Sequence, residues 1–314
     1  MQTTGDYIRL FYGSPLDVIS SCLRGFITAA PGNVLYGADF SNIEGRALPW
    51  LAGEEAKLQR FKEADAGIGP GIYETTAGGI LGKSPDEITK DERQTYGKVP
   101  ELFCQFGGGI GAAKKMAKTY LVTLSDELAD TLKTKWRENH PNIVRYWGEL
   151  ERASIDAVLS PGTITWAGAK GRTVQFRMKG SFLWLRIPSG RVLCYPYPKI
   201  KPKETPWGQM KDQLHYMTVD GTSNKWVETS TYGGSLSQNV TEAVCRDLLV
   251  AAMWNCEKAG YPVVLHVHDE VVSEVKEGFG SLKEFEALCS RMPAWAEGLP
   301  VVAKGWVGKR YRKE

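Results

Sequence analysis

"YPVVLHVHDEVVSEV" (residues 261–275) alternates as a strand does, with Val263, Val264, Leu265, Val267, Val271 and Val272 as its apolar members. His266, His268, Asp269 and Glu270 interrupt it at the centre. Acids are seldom buried without a partner. The stretch therefore reads as two strand halves, both buried, around a tight "HDE" turn that presents Asp269 to something that needs a carboxylate.

Outward from this point the pattern is mixed. A long helix, "SLSQNVTEAVCRDLLVAAMWNCEKAG" (235–260), precedes the stretch and ends at Gly260. A final strand with a basic end, "LPVVAKGWVGKRYRKE", follows it. Residues 161–232 read as strands joined by Gly, Pro, Ser and Asn turns. Near the N-terminus "NVLYGADF" (33–40) is a short strand, and "SNIEGRALPWLAGE" (41–54) is a helix that Gly53 ends. "GIGPG" and "GKSPD" break residues 62–90 into short helices. Residues 91–106 are helical despite Pro100 and stop at "GGG". A lysine-rich helix runs from Ile110 to about Tyr120, and residues 126–160 give two amphipathic helices broken near Pro141. Strands and helices do not alternate as βαβ units, so the expected class is α+β.

The 314 residues are 42% hydrophobic and 24% charged, ordinary globular composition with room for one large domain or two smaller ones. The net charge of +3 is unevenly spread. Residues 161–212 carry ten Lys and Arg against Glu204 and Asp212, so that segment is +8 and the remainder −5. Such a segment suits an anionic partner such as nucleic acid, or is a solvated charged loop. The six cysteines form no CxxC pair, which signals neither zinc nor a redox motif and suggests a reducing compartment. The N-terminus lacks a signal peptide, and no apolar run approaches the ~18 residues of a membrane span. The expectation is a soluble, cytoplasmic protein with no membrane partner.

Two strand-associated acids carry the chemistry. Asp39 lies where the first strand meets its helix, and Asp269 lies in "HVHDE". If folding brings them together, their repulsion demands cations between them, and magnesium suits carboxylates joined by substrate phosphates. Two such ions ~3.5–4 Å apart clamp the attacking and leaving oxygens of a phosphoryl displacement. Ser41-Asn42-Ile43-Glu44 fits a capping box; the alternative is that Glu44 faces a nucleotide. Lys98, Leu102 and Phe106 stand at i, i+4 and i+8 and share a helix face. They fit either a triphosphate site with a stacking ring or a lysine snorkelling over a core stripe. "GGGIG" is no phosphate loop, for it lacks the preceding strand and the Lys-Ser/Thr.

Together these segments resemble the family A DNA polymerases, in their bacteriophage branch. "DFSNIEGR" (39–46) is similar to motif A, "RQTYGKVPELFCQFGGG" (93–109) to motif B, and "HVHDE" (266–270) to motif C. "LRIPSGRVLCYP" (185–196), "TYGGSLSQNVTEAVCRDLL" (231–249) and "GWVGKRYRK" (305–313) agree in order, so the resemblance covers nearly the whole chain. It implies a right-hand fold, a palm with an antiparallel sheet plus helical fingers. Residues 1–60 would be the first part of the palm, 61–150 the fingers and 151–314 the second part of the palm.

The resemblance also implies roles. Asp39 and Asp269 would hold two Mg2+ ions, with Mn2+ as a substitute, and the Phe40 carbonyl would help. Glu270 would flank the metals as a further catalytic acid. Glu44 would exclude a 2′-hydroxyl. Lys98 would bind the incoming dNTP, assisted by Arg93. Leu102 and Phe106 would lie against the nucleotide, and His268 near the pyrophosphate or primer end. Gln238 and Asn239 would touch the minor groove of the primer-template DNA, which offers a sequence-blind set of acceptors.

The chain departs from the family pattern in places. Arg93 stands five residues before Lys98 where four is usual, which on a regular helix turns the side chain by ~100°. Phe106 replaces a tyrosine. Only 38 residues precede Asp39, where the family has a thumb and often a 3′→5′ exonuclease. The expected function is therefore a DNA-directed DNA polymerase whose thumb, absent here, comes from a second polypeptide, in the host cytoplasm if phage-encoded. The alternatives are an engineered or accidental fragment in place of a natural split, a non-catalytic DNA-binding or scaffold subunit, and an RNA polymerase or reverse transcriptase with a similar palm.

Overall fold

The computed structural model describes residues 3–204 and 208–311. The strands, in chain order, are β1 (Asn33–Phe40), β2 (Ile164–Ala167), β3 (Val174–Lys179), β4 (Phe182–Arg186), β5 (Val192–Pro196), β6 (Lys199–Glu204), β7 (Met210–Val219), β8 (Trp226–Thr231), β9 (Val263–Val267), β10 (Glu270–Lys276) and β11 (Ala303–Gly308). The chain divides into two compact units, one drawn from residues 1–41, 248–292 and 301–314, the other from 42–247 and 293–300.

The first unit is built on an antiparallel sheet in the order β11-β1-β10-β9. β1 is central, and Gly37 in its middle has no alternative. A Cβ there would come 2.4 Å from the Trp306 ring, which lies across the strand. Trp306, Leu35, Val272 and Tyr311 form one core cluster. Tyr36, Tyr261 and Phe285 form another by ring contacts at 5.2–5.7 Å. The helix Leu282–Ser290 starts at Ser281, whose hydroxyl accepts from the Glu284 N–H (3.1 Å), and packs on β1 and β11.

The "HDE" stretch folds as two strand halves, but only one half is buried. β10 lies between β1 and β9, whereas β9 has a neighbour on one side alone. Val264 and Val267 are 52% and 40% exposed in consequence. The apolar alternation marks a strand correctly, yet it does not distinguish an edge from a centre.

In the second unit the helix Ile43–Ala52 is buried nearly throughout and ends at Gly53 with φ 74°. Its N-cap is Asn42 (φ 51°), one residue later than a Ser41–Glu44 capping box requires, and the Asn42 side chain makes no capping bond. The capping reading of Ser41 and Glu44 is thereby corrected. The segment similar to motif B is one helical run of three kinds: α at Lys90–Glu92, π at Arg93–Lys98, α at Val99–Cys104. The Val99 N–H donates to Gln94 O, five residues back. Pro100 follows at the seam between the two bonding patterns, which is why the helix tolerates it. Gly97 is needed here too, because a Cβ would sit 2.1 Å from Tyr73 O on the helix Ile72–Leu81. The two amphipathic helices are Asp126–Asn139 and Pro141–Leu159. Beyond them come two antiparallel sheets, β2-β3-β4-β5 and β6-β7-β8, and the long helix Gly233–Lys258 begins within this unit.

This mixture of helix and antiparallel sheet is the α+β class expected from the sequence.

Candidate active site

In the first unit β1 ends at Asp39-Phe40, and β9 and β10 are joined by the two-residue loop His268-Asp269. Pairing of β1 with β10 sets Asp39 opposite Glu270, and the Phe40 N–H donates to Asp269 O (3.2 Å). The Asp39 and Asp269 side chains hydrogen-bond to each other. Burial raises the Asp269 carboxyl above the usual range, and the neighbouring Asp39 raises it further. His268 works against both, its Nδ1 standing 3.0 Å from Asp269 Oδ1. His268 itself is 74% exposed and takes φ 56°, a conformation that His tolerates better than a β-branched residue.

Two half-buried carboxylates in contact repel one another when both are ionised, which makes them a site for a hard cation. Among the described residues no group of three or more His, Cys, Asp or Glu is arranged to hold a metal. The side-chain donors here are two acids, the number magnesium commonly takes while water and phosphate oxygens supply the rest. The residues present fit that ion.

Glu270 adjoins this pair and has partners of its own. Directly opposed residues of an antiparallel pair share a face of the sheet, so the Glu270 side chain projects from the same face as Asp39 and is buried there. Its Oε1 accepts from Trp306 Nε1 (3.2 Å) and its Oε2 from the Tyr311 hydroxyl. Burial and Glu270 push the Tyr311 phenol up to about 12. Glu270 thereby ties the hairpin to the last strand and to Tyr311 beyond it. Trp306 and Tyr311 carry no signal of this role in the sequence, although "GWVGKRYRK" contains both.

The second unit holds the other expected residues. Leu102, Phe106 and Gln238 line one groove of about 350 Å³, with Lys115, Met116 and Tyr232. The Tyr232 hydroxyl donates to Phe106 O (3.3 Å). Gln238 Nε2 donates to Glu242 (2.8 Å), and Asn239 Nδ2 donates to the Tyr195 hydroxyl (3.0 Å). Glu44 Oε2 accepts from Gln105 Nε2 (3.4 Å). Lys98 is not in that groove; its Nζ lies 4.4 Å from the centre of the Tyr120 ring. Phe106 lies beyond the helix end at Cys104, so the i, i+4, i+8 face does not continue to it.

The π segment changes the reading of Arg93. With bonds running five residues back, the extra residue between Arg93 and Lys98 is taken up in a wider turn, and the ~100° displacement expected of a regular helix does not apply. The Arg93 guanidinium lies 4.9 Å from the Tyr73 ring and pairs with Glu74.

Behind this helix is a buried polar network. Glu101 accepts from Lys57 Nζ (2.5 Å), Thr76 Oγ1 (2.7 Å) and Trp136 Nε1 (3.1 Å). Burial raises the Glu101 carboxyl, but Lys57 and the donated hydrogen bonds outweigh it and hold it below its ordinary value. His140 Nδ1–H donates to Trp136 O (2.7 Å), and burial, with Lys57 nearby, pushes its pKa down to about 4. The signal was present in "VPELFC", an acid inside an apolar run.

No protein-family model matches the chain. It is 35% identical over 310 residues to the DNA polymerase of Bacillus phage SP02, covering 98% of this chain and 45% of that protein. It is 32% identical over 118 residues to DNA polymerase I of Aquifex aeolicus, covering 37% of this chain and 20% of that one. The chain thus spans less than half the length of either relative. Among solved structures, the POL domain of Pol1 from M. smegmatis, in complex with DNA primer-template and dNTP, superposes with a TM-score of 0.55 at 17% identity, over 92% of this chain and 42% of that one. No helix among the described residues is long and apolar enough to cross a membrane. In sequence the chain is a homologue of the phage SP02 DNA polymerase over nearly its full length and of bacterial DNA polymerase I over little more than a third of it, and its fold is similar to that of a POL domain.

Proposed function

We propose that this chain carries the catalytic centre of a DNA-directed DNA polymerase, which joins the α-phosphate of a dNTP to a primer 3′-hydroxyl and releases pyrophosphate. The observation that carries the reading is the Asp39–Asp269 pair, two acids made to share one site within a chain homologous to polymerases. Asp39 and Asp269 would hold divalent metal, Mg2+ with Mn2+ as a substitute, and the Phe40 carbonyl would assist. When bound, such ions supply charge neutralisation at the attacking and leaving oxygens. His268, exposed beside Asp269, offers a hydrogen-bond donor to a phosphate or to the primer end.

Lys98 and Arg93 would hold the triphosphate. Lys98 rests on the Tyr120 ring, a weakly bound position from which a cation is readily drawn to an anion, whereas Arg93 would exchange its pairing with Glu74 for the phosphates. Leu102 and Phe106 would pack against the nucleotide, and Glu44 would exclude a 2′-hydroxyl. Gln238 and Asn239 would contact the minor groove. Residues 1–60 and 151–314 would be palm and 61–150 fingers.

The SP02 polymerase extends well beyond the part matched here. We propose that the grip on duplex DNA comes from equivalent polypeptide outside these 314 residues, as a thumb, with or without an exonuclease, on a second chain. Magnesium-dependent extension of a labelled primer, with and without the polypeptide encoded beside this chain, tests both readings. No synthesis in either case sinks the catalytic reading, and full processive synthesis by this chain alone sinks the partner. Synthesis that survives in Asp269→Asn removes the metal assignment.

A further inference from the structure

The carboxylate site makes no use of the basic segment 161–212, whose cations fall into two sets. Most are engaged with neighbours. Arg172 pairs with Glu55, Arg191 with Asp247, Lys199 and Lys201 with Glu228, and Lys211 with Glu151. Lys203 donates to Ser230. Among the described residues of strands β2 to β5, Arg177, Lys179 and Arg186 have no ion pair, and all three are exposed.

These three share one surface. In the sheet β2-β3-β4-β5 the inward residues, among them Val174, Phe176, Leu183 and Leu185, are buried, and the sheet packs on the helix Pro141–Leu159. Thr165 Oγ1 bonds to Ala153 O of that helix (2.6 Å). The alternate residues form the other face. The register sets Arg177 opposite Trp184, Lys179 opposite Phe182, and Gln175 between Trp166 and Arg186. Trp166 is 55% exposed, and Phe182 and Trp184 are half-buried with ring centres 5.7 Å apart. The other positions on this face are Ile164, Val192, Cys194 and Pro196, so it carries no acid. A groove of about 550 Å³ opens on it between Arg177, Lys179 and Trp184.

A flat sheet face with three unpaired cations, three aromatic rings and no acid matches the chemistry of an unpaired polynucleotide. Phosphates need the cations, and bases free of a duplex need planar rings. We propose that the open face of β2-β5 binds single-stranded nucleic acid, with phosphates on Arg177, Lys179 and Arg186 and bases stacked on Trp166, Phe182 and Trp184. This site shares no residue with the catalytic carboxylates and does not depend on the polymerase reading.

The test is binding of an end-labelled oligothymidylate to the intact chain, by fluorescence anisotropy across a salt series, without dNTP or divalent metal. The substituted side chains lie on a solvent face, and circular dichroism confirms that each variant folds. Replacing Arg177, Lys179 and Arg186 together by Ala is expected to flatten the salt dependence by about two powers of salt concentration. Trp166→Ala with Trp184→Ala is expected to weaken binding on the order of tenfold for each ring. Duplex DNA of equal length is expected to compete poorly. Unchanged affinity and salt slope in the triple variant overturn the proposal. So does equal competition by duplex, which would mean charge without stacking. Variants that bind the oligonucleotide normally but lose self-association in sedimentation would make the face a protein-docking surface instead.

Discussion

Asp269 is raised by burial and by Asp39, which fixes the sign of its effect on stability. An acid that holds its proton more tightly when folded stabilises the fold as pH drops through its raised pKa, and that contribution is lost as pH rises. At neutral pH without metal the pair is therefore a cost. Asp269→Asn is expected to raise the metal-free Tm by roughly 2–4 °C. Magnesium is expected to raise the Tm of the wild type and to leave that of Asp269→Asn unmoved, because only a folded site with both acids binds it. Differential scanning fluorimetry reads both. Glu270 gives the opposite sign. Glu270→Gln presents one amide oxygen to two donors, so the fold is expected to lose on the order of 2 kcal/mol in urea titration. Ultraviolet titration should then find the Tyr311 phenol ionising below its present value of about 12. The sequence pointed to Asp269 because an acid in an apolar strand demands a reason. It did not reveal the partners of Glu270, because Trp306 and Tyr311 stand 36 and 41 residues further along the chain.

At the scale of elements, the helical run 90–104 is anchored by a side chain that the sequence left unremarked. Glu101 and Lys57 are almost wholly buried, at 4% and 2% exposure. Lys57→Met strands the Glu101 charge without its cation and is expected to cost about 3–5 kcal/mol. The double change with Glu101→Gln should recover much of that loss, since Thr76 and Trp136 can still donate to the amide oxygen. Urea unfolding of the four proteins of this cycle measures the coupling. Strand and helix positions were largely legible. "NVLYGADF" is a strand over the residues read, and the helices near Pro141 break where that proline requires. The distinction between edge and central strand was not legible, for β9 and β10 have similar apolar patterns and different neighbours. The π turn was also hidden, since periodicity assumes a uniform helix.

For the molecule as a whole, acid should be the destabilising direction. His140 is buried and titrates near 4 instead of 6.5. The unfolded chain therefore binds the extra proton first as pH falls below 6.5, and stability present above that value is lost down to about pH 4. The loss is on the order of 3 kcal/mol, and His140→Gln is expected to flatten the denaturation midpoint between those limits. The α+β architecture was legible because helical and strand periods fall in separate blocks. The charge map was legible only as a total, because residue counts do not reveal which cations meet a carboxylate and which face water. The π turn bears on how such chains are compared with one another. An alignment that counts positions scores Arg93 as shifted by one, and a gap opened beside Gln94 would cancel a mismatch that the backbone has already cancelled. Natural insertions and deletions of one residue at this point should therefore be tolerated in the lineage, while the same change a turn later, beyond Pro100, should not.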